Sequence, residues 1–323
     1  MNTIAITGAS GYIGRHLVAK LVRMGDRRIK VLSRSSRQEW HVGLGESVVE
    51  IVKGDVRDPK SLRGLIDPGC TVINLVYLQD AGEAENLVAC AELLAACKAA
   101  KVRRLIHCST ASVVGRTPDN LVTEDTPCRP ATGYGVAKLK VERAIIEAAR
   151  GCFEATILRP TAVFGPEGEN LRKLAGDLMA GARLRNYLRS CLFGSRRMNL
   201  VYVANVVAAI LFLANYDGNL GEEVFNISDS DSPLNNFSDV ERILMREMNI
   251  PDYSFARIAA PLGLLRLLLE FRGRDNINPR CNYSSEKLIG FGFLKPTNFE
   301  RGLAEYATWY RSSHPDGITS SSV

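Results

Sequence analysis

Two side chains in the stretch 132–142 (TGYGVAKLKVE) have the chemistry of a proton-transfer pair. Tyr134 and Lys138 are four residues apart in a helical pattern, so they share one helical face. A free tyrosine titrates near pKa ~10, and one pKa unit corresponds to about 1.36 kcal/mol. A cation about 4 Å away, at an effective dielectric of ~20, contributes about 4 kcal/mol, which would bring the phenol toward neutral pH. Spacing alone does not separate this pair from two residues that merely share an amphipathic helix.

A glycine motif near the start of the chain has the spacing of a phosphate cradle. The stretch ITGASGYIG follows an apolar run and leads into an amphipathic pattern. Glycines let backbone amides approach a pyrophosphate closely, and a helix N-terminus adds partial positive charge. The alternative is a glycine-rich turn that only packs the helix on the strand. We predict a dinucleotide cradle, whose members are Gly8, Ser10, Gly11, Tyr12, Ile13 and Gly14.

The end of the second predicted strand indicates which dinucleotide binds. Folds that prefer NAD usually place an acid there for the ribose 2′-hydroxyl. This chain has Ser33 and Arg34 instead, with Arg37 nearby. An arginine suits a 2′-phosphate, so we predict NADP(H), with NAD(H) still possible. Asp55, after the third strand, is predicted to accept a hydrogen bond from the adenine amino group, or simply to cap a turn.

Apolar runs alternate with helical patterns over the first half of the chain. This alternation predicts an α/β fold, a doubly wound Rossmann-type parallel sheet with a smaller, interleaved C-terminal substrate-binding lobe. We assign 1–165 to the NAD(P)-binding domain. Residues 166–312 form mainly the substrate lobe, with segments returning to the sheet around 199–228, and 313–323 form a disordered tail. The predicted strands are 29–33, 48–55, 71–78, 103–110, 154–160 and 222–228, and the principal helices are 83–102 and 134–150.

Composition and charge exclude several classes of protein. The 323 residues carry 41 basic and 35 acidic side chains, a mild excess of +6 without one long basic block, so no nucleic-acid partner is predicted. The eight cysteines include no C-x-x-C pair, which predicts no metal site and reduced thiols in the cytoplasm. The first strand starts at residue 3, so we expect no signal peptide, and we expect no integral membrane segment. Residues 255–274 fit a core or cleft helix better than a membrane-surface helix.

An ordered set of motifs resembles the extended short-chain dehydrogenase/reductase superfamily, in its NAD(P)-dependent epimerase/dehydratase family. The likeness runs from Thr3 to about Tyr310. The motifs occur in the family's order: the glycine motif, GDVRD, STASVVG, YGVAK, LRPTAVFGP, NLVYVANV and FGFLKPTNFERGLAEYATWY.

The resemblance implies a role for the pair described first. It makes Tyr134 the general acid/base and Lys138 the residue that holds the nicotinamide ribose and lowers the tyrosine pKa. The hydroxyl of Thr110 would hydrogen-bond the reacting oxygen of the substrate. The predicted cofactor site then also includes Val56, Leu75, Val76, Ser109 and Pro160. The family's helices corresponding to 83–102 and 134–150 often pair across a two-fold axis, so a homodimer is expected.

The chain departs from the family pattern at two places. Val76 and Tyr77 stand where members often carry small alanines, so Tyr77 is predicted to line the substrate pocket. Ala111 and Ser112 follow Thr110 where dehydratases carry an Asp-Glu pair, which argues against a dehydratase.

Three arginines are candidates to bind a substrate pyrophosphate, because the planar guanidinium suits phosphate. They are Arg196, Arg197 and Arg280, and each could equally form a surface ion pair.

Our leading hypothesis is an epimerase or 4-keto-reductase of a nucleotide-activated sugar. The first alternative is an NADPH-dependent reductase or dehydrogenase of a hydrophobic ketone or alcohol, such as a steroid- or flavonoid-like compound. The second is a non-catalytic, cofactor-binding scaffold, which the presence of both Tyr134 and Lys138 disfavours.

Overall fold

The computed structural model describes residues 3–35, 49–261, 263 and 278–314. Within these ranges strands and helices alternate over the first half of the chain. The strands are β1 (Ile4–Thr7), β2 (Ile29–Ser33), β3 (Val49–Lys53), β4 (Thr71–Asn74), β5 (Arg104–Cys108), β6 (Leu121–Val122), β7 (Glu154–Pro160), β8 (Ala162–Phe164), β9 (Leu200–Tyr202), β10 (Val224–Ile227) and β11 (Asn282–Tyr283). The helices are α1 (Tyr12–Met24), α2 (Pro59–Leu65), α3 (Glu83–Ala99), α4 (Gly133–Ala149), α5 (Arg172–Met179), α6 (Arg183–Phe193), α7 (Val203–Asn215), α8 (Phe237–Glu247), α9 (Glu286–Gly290) and α10 (Phe299–Ser313).

Seven of these strands form one parallel sheet in the order β10-β7-β5-β4-β1-β2-β3. Every residue of β1, β2, β4 and β5 is buried, because these apolar runs are covered on both faces. The edge strand β3 is partly exposed. The predicted α/β, doubly wound architecture is confirmed.

The described residues divide into two compact units. Unit 1 comprises Met1–Val114, Pro130–Pro160 and Val206–Phe225, and unit 2 comprises Gly115–Arg129, Thr161–Asn205 and Asn226–Val323. The predicted boundary at residue 165 lies five residues beyond the structural one. The sequence pattern also did not show that 115–129 belongs to unit 2, where β6 pairs with β11.

The fourth strand is shorter than its apolar pattern predicts. The run 71–78 reads as one strand, but β4 ends at Asn74. The Asn74 side chain accepts a hydrogen bond from the backbone N–H of Val76. Asn86 bonds both the N–H and the carbonyl oxygen of Leu78. These side-chain bonds take the place of backbone hydrogen bonds to a neighbouring strand, so the chain leaves the sheet after Asn74.

Two sequence predictions concern residues that the structure describes only in part. Of the segment 255–274, residues 262 and 264–274 lie outside the described residues, as do Arg37 and the tail from 315 onward. In the part of the chain that is described, no helix is both long and apolar enough to cross a bilayer.

A buried arginine ties three parts of unit 1 together. Arg104, at the start of β5, is fully buried. Its guanidinium donates to Glu154 at the start of β7, with Nε 2.8 Å from Oε2. It also donates to the backbone carbonyl oxygens of Leu213, Tyr216 and Gly218, at and beyond the C-terminal end of α7. One side chain therefore donates to acceptors from three parts of unit 1, and the carbonyl oxygens of Leu213 and Gly218 depend on it for a side-chain donor.

We expect Arg104→Met to destabilise the fold. Removing one partner of a buried, hydrogen-bonded ion pair costs about 3–5 kcal/mol, because the remaining charge and carbonyls lose their donor. Urea denaturation should show a lower midpoint with an unchanged slope. Arg103→Met is the matched control. Arg103 is exposed and makes a single bond to Tyr216 O, so its loss should cost less than about 1 kcal/mol. Equal losses for the two variants would contradict the role of Arg104.

Candidate active site

The predicted site residues of unit 1 lie at the carboxyl ends of the parallel strands. Strand order reverses beside β1, which lies between β2 and β4. Crevices at such a switch point are the usual ligand sites of open α/β sheets. The glycine turn follows β1, and Ser109 and Thr110 follow β5 directly.

The three glycines of the motif have different structural roles. Gly8 has φ +75°, and a Cβ there would lie 2.8 Å from the Leu75 carbonyl carbon. A Cβ on Gly14 would lie 2.3 Å from Gly8 O and 2.6 Å from Ala9 O. At Gly11 the nearest atom to such a Cβ is Gly8 O, at 3.2 Å. Gly14 therefore packs α1 on the turn, whereas Gly11 leaves open surface at the helix N-terminus. The packing explanation therefore accounts for Gly14, and the cradle at Gly11 stays a prediction.

A cavity of about 200 Å³ lies beside this turn. The first turn of α1 carries no acidic side chain that would repel a phosphate. Open backbone at Gly11 and a basic side chain at Arg34 fit the phosphates of a nicotinamide dinucleotide. The cavity brings together predicted residues from four loops: Gly8, Ser10, Gly11, Ser33, Arg34, Asp55, Val56, Leu75, Val76 and Tyr77.

The remaining predicted cofactor residues lie outside this lining. Tyr12 and Ile13 form the first turn of α1. Ser109 is buried immediately after β5, and Pro160 is the buried last residue of β7.

Asp55 makes the local contacts of a turn. Its Oδ1 accepts from the backbone N–H and from Nε of Arg57, both at 2.9 Å. Its Oδ2 accepts from Nη2 of the same arginine at 2.9 Å. These hydrogen bonds, with Arg34 as a more distant charge, lower the pKa of Asp55 to about 2. The turn-capping interpretation accounts for these contacts, and the contact with adenine stays a prediction.

Tyr134 is accessible and lies beside two other predicted site residues. Its side chain is 41% exposed and hydrogen-bonds Thr110. The Tyr77 ring meets it edge-on, with centroids 4.8 Å apart. Burial of the hydroxyl raises the pKa of Tyr134 to about 12, and the Thr110 bond offsets only part of this. The protein alone therefore presents a protonated phenol at neutral pH, not the lowered pKa that we expected from Lys138.

The Lys138 amine bonds groups other than Tyr134, which explains why it does not lower the pKa of the tyrosine. The side chain is 3% exposed. Its Nζ donates to Cys108 O at 2.7 Å and lies 3.2 Å from Nε2 of His107. On the other side of the imidazole, Nδ1 lies 3.0 Å from Nδ2 of Asn74. Thr7 Oγ1 donates to Asn74 Oδ1 at 2.7 Å. Burial lowers the pKa of Lys138 and holds that of His107 well below its usual range.

Sequence reasoning missed Thr7, Asn74 and His107. Each is a polar residue at or near the end of an apolar, buried strand. A buried polar side chain needs a partner, and this was the signal available in the sequence.

Thr110 is the residue immediately before a short 3₁₀ helix. It caps the short 3₁₀ helix Ala111–Val113, with its Oγ1 accepting from the Ser112 N–H at 3.2 Å. Its hydroxyl hydrogen can donate to the Tyr134 oxygen, in keeping with a bond that lowers the pKa of Tyr134. Ser109 Oγ is buried and, within the described residues, has no hydrogen-bond partner.

The three predicted pyrophosphate arginines all belong to unit 2. The backbone N–H of Arg197 donates to the carbonyl oxygen of Pro279, the residue that precedes Arg280. The Arg197 guanidinium donates to Asn282 Oδ1 and to backbone carbonyl oxygens in the 230–233 segment. These bonds hold the lobe together. Arg280 is exposed, and binding of substrate by either residue stays a prediction.

Unit 2 has a cavity of its own, of about 380 Å³. Its lining combines apolar residues with three basic side chains and Asn170, a mixture that suits an amphipathic ligand with an anionic group. The apolar residues are Ala162, Leu171, Leu174, Phe193, Met198, Leu200 and Phe237, and the basic ones are Lys173, Arg189 and Arg196.

The glycine geometry predicts opposite effects for two alanine variants. Gly14→Ala should destabilise the protein by about 1–3 kcal/mol, because its Cβ has no room against the turn. Gly11→Ala should lose less stability than Gly14→Ala, because the nearest atom to its methyl group is Gly8 O at 3.2 Å, and it should lose affinity for NADPH. Thermal denaturation and NADPH fluorescence titration would measure the two effects. A Gly11→Ala protein that binds NADPH normally would contradict the cradle.

Curated relatives fall into two groups by how much of the chain they match. Sterol demethylase protein B of Methylococcus capsulatus is 27% identical over 96% of this chain and 98% of its own length. A 4-hydroxy-2-methyl-3-oxo-4-farnesyl-3,4-dihydroquinoline-1-oxide ketoreductase of Stigmatella aurantiaca is 28% identical, over 80% of this chain and 78% of its own. UDP-glucose 4-epimerase of Yersinia pestis is 31% identical, but over 54% of this chain and 56% of its own.

Solved structures share the fold over nearly the whole chain. The dTDP-glucose 4,6-dehydratase of Bacillus anthracis, in complex with NAD, has a TM-score of 0.74 at 17% identity and covers 98% of both chains. MoeE5 in complex with UDP-glucose and NAD has a TM-score of 0.68 at 25% identity, covering 97% of this chain and 99% of its own.

A family model matches the part of the chain that contains the glycine turn, Thr110, Tyr134 and Lys138. The match spans residues 4–228, well over half of the sequence, and the family is described as NAD dependent epimerase/dehydratase. This chain belongs to the NAD-dependent epimerase/dehydratase family and is a nicotinamide-dependent enzyme of the extended short-chain dehydrogenase/reductase type.

Proposed function

We propose that the protein is an NADP(H)-dependent oxidoreductase that interconverts a hydrophobic ketone and its secondary alcohol. The extent of the matches carries this proposal. Two relatives that align over most of this chain have names that refer to a sterol and to a farnesylated quinoline ketone. The UDP-glucose 4-epimerase aligns over about half of it. The sequence pattern favoured a nucleotide sugar, and these relatives move our preference to the hydrophobic alternative.

Two features of unit 2 support a hydrophobic substrate. Arg197, which we expected to meet a pyrophosphate, already uses its guanidinium within the lobe. The cavity of unit 2 is lined by seven apolar residues together with three basic ones and Asn170. A rigid apolar molecule that carries one anionic or strongly polar group matches this lining better than a sugar, which presents hydroxyls on all sides.

The residues of unit 1 supply the proton chemistry of this reaction. Reduction of a ketone adds a hydride to carbon and a proton to oxygen. Tyr134 is protonated and accessible, so it can donate that proton. Thr110 bonds Tyr134 and can orient the same substrate oxygen. The bound nicotinamide supplies the hydride, or accepts it in the reverse reaction.

The preference for NADP(H) rests on Ser33 and Arg34. Both line the cavity beside the glycine turn, and Arg34 is exposed. A serine and an arginine at the end of β2 accommodate a 2′-phosphate, which an acid there would repel.

A nucleotide-sugar epimerase or 4-keto-reductase is the second candidate. The Yersinia pestis relative and the UDP-glucose complex of MoeE5 favour it. Tyr134 and Thr110 would serve this reaction in the same way. A homodimer remains a proposal under either function. The two helices expected to pair across it, α3 and α4, pack against each other in unit 1.

Turnover measured with a panel of hydrophobic ketones and a panel of nucleotide sugars distinguishes the two candidate functions. We expect the protein to oxidise NADPH with hydrophobic cyclic ketones such as 3-keto steroids, and not with UDP- or dTDP-4-keto sugars. Tyr134→Phe should lower kcat by about 10²- to 10⁴-fold, because the phenol that protonates the substrate is lost. Tyr283→Phe, a buried tyrosine of unit 2, is the matched control and should retain activity. Activity on the sugar panel alone would overturn the proposal, and unchanged turnover in Tyr134→Phe would contradict the role of Tyr134.

Cofactor affinity tests the role of Arg34. Arg34→Ala should weaken NADPH binding by roughly 10- to 100-fold, because one charge-assisted hydrogen bond is worth about 1.5–3 kcal/mol. NADH affinity, measured in parallel by fluorescence titration, should hardly change, since NADH has no 2′-phosphate. An equal loss of affinity for NADPH and NADH would mean that Arg34 does not bind the 2′-phosphate.

A further inference from the structure

Unit 2 exposes several large apolar side chains on two segments that contact each other. Within the described residues, four large apolar side chains are 72–81% exposed, and they are Leu184 on α6, Phe255 and Ile258 in the segment 251–261, and Leu294. Leu188, one turn after Leu184, is 58% exposed. Single exposed apolar residues are common on protein surfaces, whereas a contiguous group of them marks a surface that binds a partner or a membrane.

Hydrogen bonds hold the segment 251–261 along one side of α6. The Arg183 guanidinium donates to two backbone carbonyl oxygens at the start of the segment, at 2.9 and 2.7 Å. The Tyr187 hydroxyl donates to Ala256 O at 2.9 Å, and near the end of the segment a backbone N–H donates to Cys191 O at 3.0 Å. The described residues 255–261 form no helix and are largely exposed, contrary to the core or cleft helix that we expected there.

The two exposed leucines of α6 lie on the side of the helix that borders this segment. Residues three apart on a helix are neighbours on its surface. Tyr187 and Cys191, which both bond the segment, lie three residues after Leu184 and Leu188. The leucines and the segment therefore form one surface. We call its four exposed apolar residues the apolar patch, which comprises Leu184, Leu188, Phe255 and Ile258.

Two tyrosines join the segments that carry the apolar patch. The rings of Tyr187 and Tyr253 meet edge-on, with centroids 5.4 Å apart, and both side chains are partly exposed. Tyrosine combines an apolar ring with a polar hydroxyl and is enriched where a membrane meets water.

Helix α6 supplies positive charge beside the apolar patch. It contains three arginines and no acidic residue. The stretch 172–197 has seven basic residues and one acidic residue, a net charge of +6 that equals the excess of the whole chain. The bonds of Arg183 go to carbonyl oxygens, which do not balance its charge. Arg185, 63% exposed, shares the carboxylate of Asp177 with Arg189.

The distribution of charge favours an anionic lipid surface over a second copy of the chain. In the segment 251–261, Asp252 pairs with Arg257 at 2.7 Å, so the segment does not cancel the charge of α6. A two-fold contact would bring two such cationic surfaces together, and like charges oppose this. A bilayer with anionic lipids instead receives apolar side chains at the acyl boundary and basic ones at the headgroups.

We propose that the apolar patch and the arginines of α6 attach the protein peripherally to an anionic lipid bilayer. Phe255 and Ile258 insert at the acyl boundary, and Arg183 and Arg185 lie at the headgroup phosphates. Attachment would bring the cavity of unit 2, which α6 also lines, to the phase that dissolves a hydrophobic substrate. That consequence rests on the proposed function, whereas the attachment itself does not.

Co-sedimentation with vesicles tests the proposal on the purified full-length protein, without cofactor or substrate. One set of vesicles consists of phosphatidylcholine, and in the other about a third of the lipid is phosphatidylglycerol. We expect binding to the anionic vesicles that weakens as salt is added, and little binding to the neutral ones. No binding to the anionic vesicles, or equal binding to both sets, would overturn the proposal.

The double variant Phe255→Ser/Ile258→Ser tests the apolar patch. Its binding to anionic vesicles should fall by about 10-fold or more, because two inserted apolar side chains are lost. Thermal denaturation should show an intact fold, since both residues are exposed. Leu294→Ser is the matched control, because Leu294 is equally exposed but lies on neither α6 nor the segment 251–261. Unchanged binding of the double variant, or an equal loss in the control, would refute the assignment.

Arg185→Gln tests the charge of α6. It leaves Asp177 paired with Arg189, and it should weaken binding to anionic vesicles by about fivefold and reduce the salt dependence. Light scattering on the same proteins tests the other occupant. A dimer that the double variant converts to a monomer would make the patch a contact between copies and would overturn the proposal. An error in the proposed function would appear in the turnover assays alone.

Discussion

The hydrogen bonds that Lys138 makes to His107 and to Cys108 O are the interaction on which the geometry of the candidate reaction site depends. They place the Lys138 amine at the carboxyl end of β5, the strand that leads into Thr110. Without them a long side chain in a buried position would have to give up either its burial or its polar partners. The helix that carries Lys138 also carries Tyr134, so the same bonds restrict where the phenol can lie.

The parallel sheet makes these bonds possible. Paired positions on β1, β4 and β5 bring Thr7, Asn74 and His107 into one row, although they are far apart in the sequence. A one-residue shift of any of these strands would turn its polar side chain to the other face. Register is maintained by ordinary apolar burial, and at the amino-terminal ends of β5 and β7 by the bond between Arg104 and Glu154. The chemistry of the site therefore depends on packing that has no chemical role.

The proposed substrate preference has a different basis from the proposed proton chemistry. Tyr134 and Thr110 would serve a sugar and a sterol-like ketone equally well, because both reactions move a proton to or from one oxygen. In the proposed function they are separated by unit 2, where Arg197 is engaged within the lobe and the cavity is lined by apolar and basic side chains.

Local pattern in the sequence was sufficient for much of the fold and part of the site. Apolar runs bounded by turns predicted the strands β2 and β7 to the residue, and the glycine spacing, Tyr134 and Lys138 indicated a nicotinamide enzyme. These features depend on neighbours a few residues apart, which a sequence displays directly.

Only the tertiary structure decided which polar residues meet. Asn74 and His107 looked like isolated polar residues in apolar strands, and their contact follows from strand order and register. Arg197 looked available for phosphate until its partners from 230–233 and Asn282 were seen. The pKa of Tyr134 depends on burial and on where Lys138 points, which spacing along a helix does not determine. Long-range contacts are set by the packing of the whole chain, and no local pattern records them.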